Sequence, residues 1–152
     1  MRFILITIIF FLYIIPLKAE LLKPNPSIKP EEVISIQLLA LQNNSVPFNN
    51  AGIIQTWEFA HPSNRQYTGP LEKFISMMYS PSYIIMLDHQ FHNIIPVSQK
   101  DDTAFFFIEL TDKPGNKFGF QWTLQKVITE GDYKNCWMTI GVSQPVPLAR
   151  ST

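Results

Sequence analysis

A chain of 152 residues, 46% of them hydrophobic and only 16% charged, has room for one well-packed domain and too much apolar content for a disordered tail. Twelve basic residues balance twelve acidic ones, so no basic stripe is available to neutralise a phosphate backbone, and nucleic acid is excluded as an expected partner. The single cysteine, Cys136, excludes an intramolecular disulfide.

Met1 and Arg2 give a short positive start, residues 3–15 are apolar apart from Thr7, and Pro16, Leu17, Lys18 and Ala19 follow. That order of a charged start, an apolar run and a small terminal residue is the pattern of a secretory signal peptide cleaved after Ala19, residues 1–19. The run falls short of the roughly 20 residues that span a bilayer comfortably, so an uncleaved membrane anchor is the alternative. Leu17 stands at the minus-three position, where a smaller residue is usual. Removal of residues 1–19 takes away Arg2 and Lys18 and leaves ten basic against twelve acidic residues, a net charge of minus two. The mature protein is expected to be secreted or periplasmic, with no membrane contact once the segment is gone.

Residues 20–29 mix proline with polar residues and read as a tether, with a single domain over 30–143 and a loose tail over 144–152. Pro30 suits a first helical position and Glu31 and Glu32 favour a helix start. Ile34, Leu38 and Leu41 recur at helical intervals up to Gln42, and Asn43 and Asn44 end that helix. After Asn49, Asn50 and Gly52, a second short helix carries Ile53, Trp57 and Ala60 on one face, and Pro62 stops it. Residues 61–69 read as a turn-rich connector, and Pro70 opens a third helix with Leu71, Phe74, Ile75 and Met78 on its apolar face.

The pattern then changes. Residues 83–87 form a short apolar run that suits a first strand, and Phe91, Asn93 and Ile95 alternate in a strand ending near Val97. Residues 99–102 read as a hairpin turn, and residues 103–110 as a strand covered on both faces. Asp112, Lys113, Pro114, Gly115 and Asn116 give the strongest turn signal. Phe118, Phe120, Trp122 and Leu124 alternate cleanly with polar neighbours, and Cys136, Met138, Ile140 and Val142 alternate after a turn at Glu130, Gly131 and Asp132. The expected plan is α+β, with three N-terminal helices packed on one face of a curved antiparallel sheet of about four strands.

The words Gly52-Ile53, Phe59-Ala60-His61-Pro62-Ser63-Asn64-Arg65, Thr68-Gly69-Pro70-Leu71-Glu72-Lys73-Phe74 and Cys136-Trp137-Met138-Thr139 resemble the bacterial family catalogued as domain of unknown function 4864. The resemblance covers residues 30–142. A serine is expected in that family where this chain has His61, so His61 is not carried over as a family residue. The element order also resembles the nuclear transport factor 2-like fold, a cone of curved sheet wrapped by helices. That plan is shared by ketosteroid isomerases, polyketide cyclases and non-catalytic binders, so it implies a pocket but no activity.

Trp57, His61, Asn64, Arg65 and Tyr67 lie close together in sequence, and Arg65 leads the candidates. Its guanidinium either grips a ligand carboxylate or phosphate, or locks the connector through backbone carbonyls, with Asn64 as a turn residue. Asn64, Arg65, Trp57, Tyr67 and Trp122 are the candidate ligand-binding residues, Trp122 as one of the aromatics that would line the mouth of a cone. The expected ligand is small and apolar or acidic, and a homodimer through the open sheet face is the expected assembly if one forms.

A catalytic alternative, a cofactor-free isomerase or cyclase, needs a base in an apolar pocket and a donor for the developing oxyanion, with Asp88 or His61 as base and Tyr67 or Tyr83 as donor. No metal and no cofactor is expected. His89 and His92 face opposite sides if their stretch is extended, and no serine-nucleophile word or glycine-rich phosphate loop occurs. Cys136 has no cation in its immediate neighbours, Asn135 and Trp137, and reads as a small buried hydrophobe.

Overall fold

The computed structural model describes residues 20–148; the segment read as a signal peptide or anchor lies outside them. Among the described residues the fold is α+β, with four α-helices, one 3-10 turn and an antiparallel sheet of five strands. The helices are α1 (Pro30–Gln42), α2 (Ala51–Glu58), α3 (Pro62–Thr68) and α4 (Leu71–Met78).

Pro30 opens α1, and the Lys29 backbone N–H donates to the Glu32 carboxylate at 2.8 Å, which satisfies one donor at the helix start. Val33, Ile34, Gln37, Leu38 and Leu41 form its buried face. Helix α2 crosses α1 closely at Gly52, where an added Cβ would stand 2.2 Å from the Ala40 carbonyl oxygen. Asn44 prepares that crossing: its buried side-chain oxygen accepts from the Ile53 N–H at 3.0 Å, and its carbonyl accepts from the Gly52 N–H at 3.0 Å. An asparagine six residues before Asn50 thus serves the start of α2.

Residues 61–69, read as a connector, are largely helical. Three residues of α3 carry turn chemistry in sequence, yet Pro62 sits at its first position and the His61 ring accepts from the Ser63 N–H at 3.1 Å. The short apolar run at 83–87 is not a strand but a single 3-10 turn, Ile84–Met86. The turn closes through the Met86 N–H to the Tyr83 carbonyl at 2.9 Å, and the chain after it is pinned to α1 by the Asp88 N–H donating to the Leu41 carbonyl at 2.9 Å.

The strands are β1 (Phe91–Lys100), β2 (Thr103–Thr111), β3 (Lys117–Lys126), β4 (Trp137–Val142) and β5 (Val146–Pro147). They lie in the order β1-β2-β3-β4, with β5 also on β3. Strand β1 runs to Lys100, past its expected end at Val97, because Asp101 takes a φ of 51° and the hairpin closes tightly there. Val146 pairs with Gly119 and Pro147 with Phe118, within the stretch read as a loose tail. Register shifts between Pro96 and Ser98 and between Thr123 and Leu124 bend the outer strands.

The expectation that β2 is covered on both faces is corrected by its burial, which alternates. Ala104, Phe106, Ile108 and Leu110 are buried, whereas Phe105 and Phe107 are half-buried and Glu109 is exposed. The buried face of β2 joins Phe120, Trp122 and Leu124 of β3 in one core with Val33, Ile34, Leu38, Leu41, Ile53, Phe59 and Phe74 from the helices. The helices therefore cover one face of the sheet.

Candidate functional site

The join between helices and sheet is made at Thr139. Residues 59–61, between α2 and α3, lie alongside β4: the His61 N–H donates to the Thr139 carbonyl and the Thr139 N–H to the Phe59 carbonyl, each at 2.8 Å. The Thr139 hydroxyl donates to the Gln37 carboxamide oxygen at 2.7 Å and accepts the Trp122 indole N–H at 3.0 Å. Gln37 in turn donates to the Thr56 carbonyl at 3.0 Å. Gln37, Trp122 and Thr139 are all buried, and each polar group named here is partnered, as burial demands.

Beside this network lies a cavity of about 150 Å³ between the helices and the sheet. Leu41, Ala60, Phe74, Met77, Met78, Met86, Trp122 and Val142 give it an apolar wall, and Gln37, Thr56, Asn64, Thr68, Tyr83 and Thr139 supply oxygen and nitrogen atoms. None of the described residues that line it is an acid, a lysine, an arginine or a histidine. Three of its hydroxyls spend their protons on backbone carbonyls: Thr56 on Gly52 at 2.8 Å, Thr68 on Asn64 at 3.2 Å and Tyr83 on Val142 at 3.3 Å. Burial also pushes the Tyr83 phenol up from its ordinary pKa, so it stays protonated. Asn64 donates to the Thr139 carbonyl at 3.2 Å, and its own side-chain oxygen accepts from no described residue. What the lining offers a ligand is thus mainly lone pairs, together with the second N–H of the Asn64 and Gln37 carboxamides.

Two of the five candidate residues, Asn64 and Trp122, line this cavity, and three do not. Arg65 turns away to the end of α2, where one guanidinium nitrogen donates to the Trp57 and Glu58 carbonyls, both at 3.0 Å. Its guanidinium carbon lies 3.8 Å from the Trp57 ring centroid and 5.4 Å from that of Tyr133. Arg65 thereby bonds the Glu58 carbonyl at the end of α2 and adds a second bond to the Trp57 carbonyl, which also accepts from the Ala60 N–H at 3.0 Å. The Arg65 Nε and the Trp57 Nε1 are sealed without a hydrogen-bond partner. Tyr67 is 90% exposed and takes no part.

The candidate bases lie elsewhere. Asp88 is exposed, with a φ of 54°, and its carboxylate accepts from the Asn44 N–H at 3.2 Å. His61 caps α3, and burial lowers its pKa below the ordinary 6.5. Of the four acid–base candidates only Tyr83 reaches the cavity.

His89 and His92 do meet, against the expectation from an extended chain. His89 precedes β1 and follows the left-handed turn at Asp88, so the period-two rule does not apply to it. Its Nε2 lies 2.7 Å from Nδ1 of His92, and its Nδ1 lies 2.7 Å from the Met86 carbonyl. Since a carbonyl only accepts, His89 Nδ1 carries a proton, and in the neutral pair His92 donates to His89. Burial lowers the pKa of both rings; a backbone bond and the Asp88 charge only partly offset this at His89, and His89 lowers His92 further. Among the described residues no group of three or more His, Cys, Asp or Glu side chains converges to hold a metal ion. Cys136 is free and buried, and burial pushes its thiol pKa up.

Sequence reasoning missed Gln37, Thr56 and Thr139. The available signal was Gln37 itself, a polar residue between Ile34 and Leu38 on a helix face that had to be covered. No described helix is long and apolar enough to cross a membrane. Compared with family models, with curated proteins and with solved structures, the chain finds no match.

Proposed function

We propose that the protein is an exported, non-catalytic binding module whose ligand is a small, uncharged molecule with an apolar body and an O–H or N–H donor. The observation that carries this reading is the lining of the cavity: an apolar wall, no charged side chain among the described residues, and hydroxyl groups whose protons are already spent on carbonyls. A ligand carboxylate would meet no cation and mostly lone pairs, with only carboxamide N–H groups to donate to it, and it would have to be desolvated as well. Arg65, the residue on which the acidic-ligand reading rested, is occupied by α2. The volume suits a ligand about the size of a substituted benzene ring. Binding of benzyl alcohol, with benzoate as its charged counterpart, tests the reading.

The same proposal takes the chain as a member of the domain of unknown function 4864 family with a nuclear transport factor 2-like cone. The sequence words at 52–74 and 136–139 support it, as do helices on one face of an antiparallel sheet whose outer strands are bent by register shifts. Export rests on the charged and apolar start of the sequence. The catalytic alternative is left without a base at the cavity, since neither Asp88 nor His61 lines it. Pairing of two copies through the open sheet face is supported by Phe91, Ile95 and Val97, which are exposed on β1.

A further inference from the structure

Besides Phe91, Ile95 and Val97 on β1, a second group of exposed apolar side chains lies away from the cavity. Leu22, Leu39, Val46 and Phe48 are 55%, 52%, 69% and 44% exposed and line one shallow groove beside the α1–α2 loop. Single exposed hydrophobics are ordinary, but four that share one groove make a candidate docking face. The groove also includes Glu20 and Leu21, where the described chain begins.

The chain enters the domain at this groove in a fixed position. The Leu22 N–H donates to the Gln55 side chain at 2.8 Å, and the Leu22 carbonyl accepts from Gln55 at 2.9 Å. Lys23 pairs with Glu58 at 2.8 Å. The apolar run of residues 3–15, extended by Leu17, ends three residues before Glu20. Three residue steps reach at most about 11 Å. A lipid bilayer entered by that run lies within a few residues of Leu22, at one side of the groove.

We propose that the N-terminal run is retained and that the groove of Leu22, Leu39, Val46 and Phe48 rests on the lipid surface it enters. The anchor supplies attachment and the groove sets the orientation, a two-signal arrangement in which the second contact needs no charge. Leu17 at the minus-three position fits retention, because signal cleavage favours a smaller residue there. The occupant is a neutral lipid surface: among the described residues the only charged one that lines the groove is Glu20, which an anionic headgroup would disfavour.

The test uses the full chain in phosphatidylcholine vesicles, with an environment-sensitive fluorophore on Phe48→Cys or Val46→Cys and a control on Ile128→Cys, which is 72% exposed and outside the groove. Cys136 is buried and stays unlabelled in the folded protein. Emission at positions 46 and 48 shifts to the blue on vesicle binding and is quenched by nitroxide lipid, while position 128 stays water-like. Chain recovered from cell membranes keeps its full 17.5 kDa mass. The proposal is overturned if positions 46 and 48 stay water-like on vesicle-bound chain, or if the cellular protein is soluble and begins at Glu20. A blue shift that appears without vesicles and grows with protein concentration assigns the groove to a second copy and also overturns it. None of these outcomes bears on the cavity.

Discussion

The Thr139 hydroxyl and the Gln37 carboxamide oxygen meet at 2.7 Å across 102 residues of sequence, fastening the first helix to the fourth strand. The same hydroxyl accepts the Trp122 indole, so removing it strands two buried polar groups at once. Thr139→Val keeps the shape and is expected to destabilise the fold by about 1–3 kcal/mol, the range for an unsatisfied buried group. Urea unfolding should show a lower midpoint with an unchanged slope. Combined with Gln37→Leu, the effects should be non-additive by at least about 0.5 kcal/mol, since the two sites share a partner.

Gly52 is a requirement of the helix crossing. Gly52→Ala places a methyl carbon 2.2 Å from the Ala40 carbonyl oxygen, backbone that cannot swing aside. The expected loss is about 1–3 kcal/mol or more, as for other overpacked sites, even though alanine is the better helix former. A variant as stable as the parent in thermal unfolding would mean that α1 and α2 do not cross as described.

Arg65→Met separates the structural role from the ligand role. The variant loses the two bonds to the Trp57 and Glu58 carbonyls and should lose about 1–3 kcal/mol of stability. Binding in the cavity should be unchanged, because Arg65 does not line it. A fall in affinity with stability retained would return Arg65 to the site.

The α+β class was legible because its signals are local. Phe118, Phe120, Trp122 and Leu124 alternate cleanly, and Pro114, Gly115 and Asn116 mark a turn that formed as expected. Helix α3 was hidden because Ser63, Asn64 and Thr68 are turn formers by propensity, and a histidine is not an obvious cap. The run at 83–87 is too short for periodicity to separate strand from 3-10 turn. At the cavity, Asn64 and Trp122 were found among candidates chosen for chemistry, while Thr139 was not, since a single threonine in a strand gives no sign of its partners. The meeting of His89 and His92 depends on one left-handed residue, Asp88, which no pattern announces.

Acid should destabilise the protein in a defined window. His61, His89 and His92 all have folded pKa values below 6.5, with burial the leading cause at each. The unfolded chain therefore binds protons that the folded chain resists, so this contribution to stability is full above the unfolded value of about 6.5 and is lost as pH falls through the folded values. Unfolding midpoints measured at about pH 7.5 and pH 5.5 should differ, with the lower at acid pH. His92→Gln, whose amide can still donate to His89, should shrink the difference; an unchanged difference would remove the His89–His92 pair from this account.

Under the proposed function, the cavity between helices and sheet takes a neutral donor and refuses an anion. The most direct measurement is a titration of the folded protein with benzyl alcohol and, separately, with benzoate, read by the methyl resonances of Met77, Met78 and Met86 that line the cavity. The account predicts saturable shifts of those methyls with benzyl alcohol, weakened by Asn64→Leu, and none with benzoate. Benzoate binding as well as or better than the alcohol, or no response of those methyls to either compound, would contradict it.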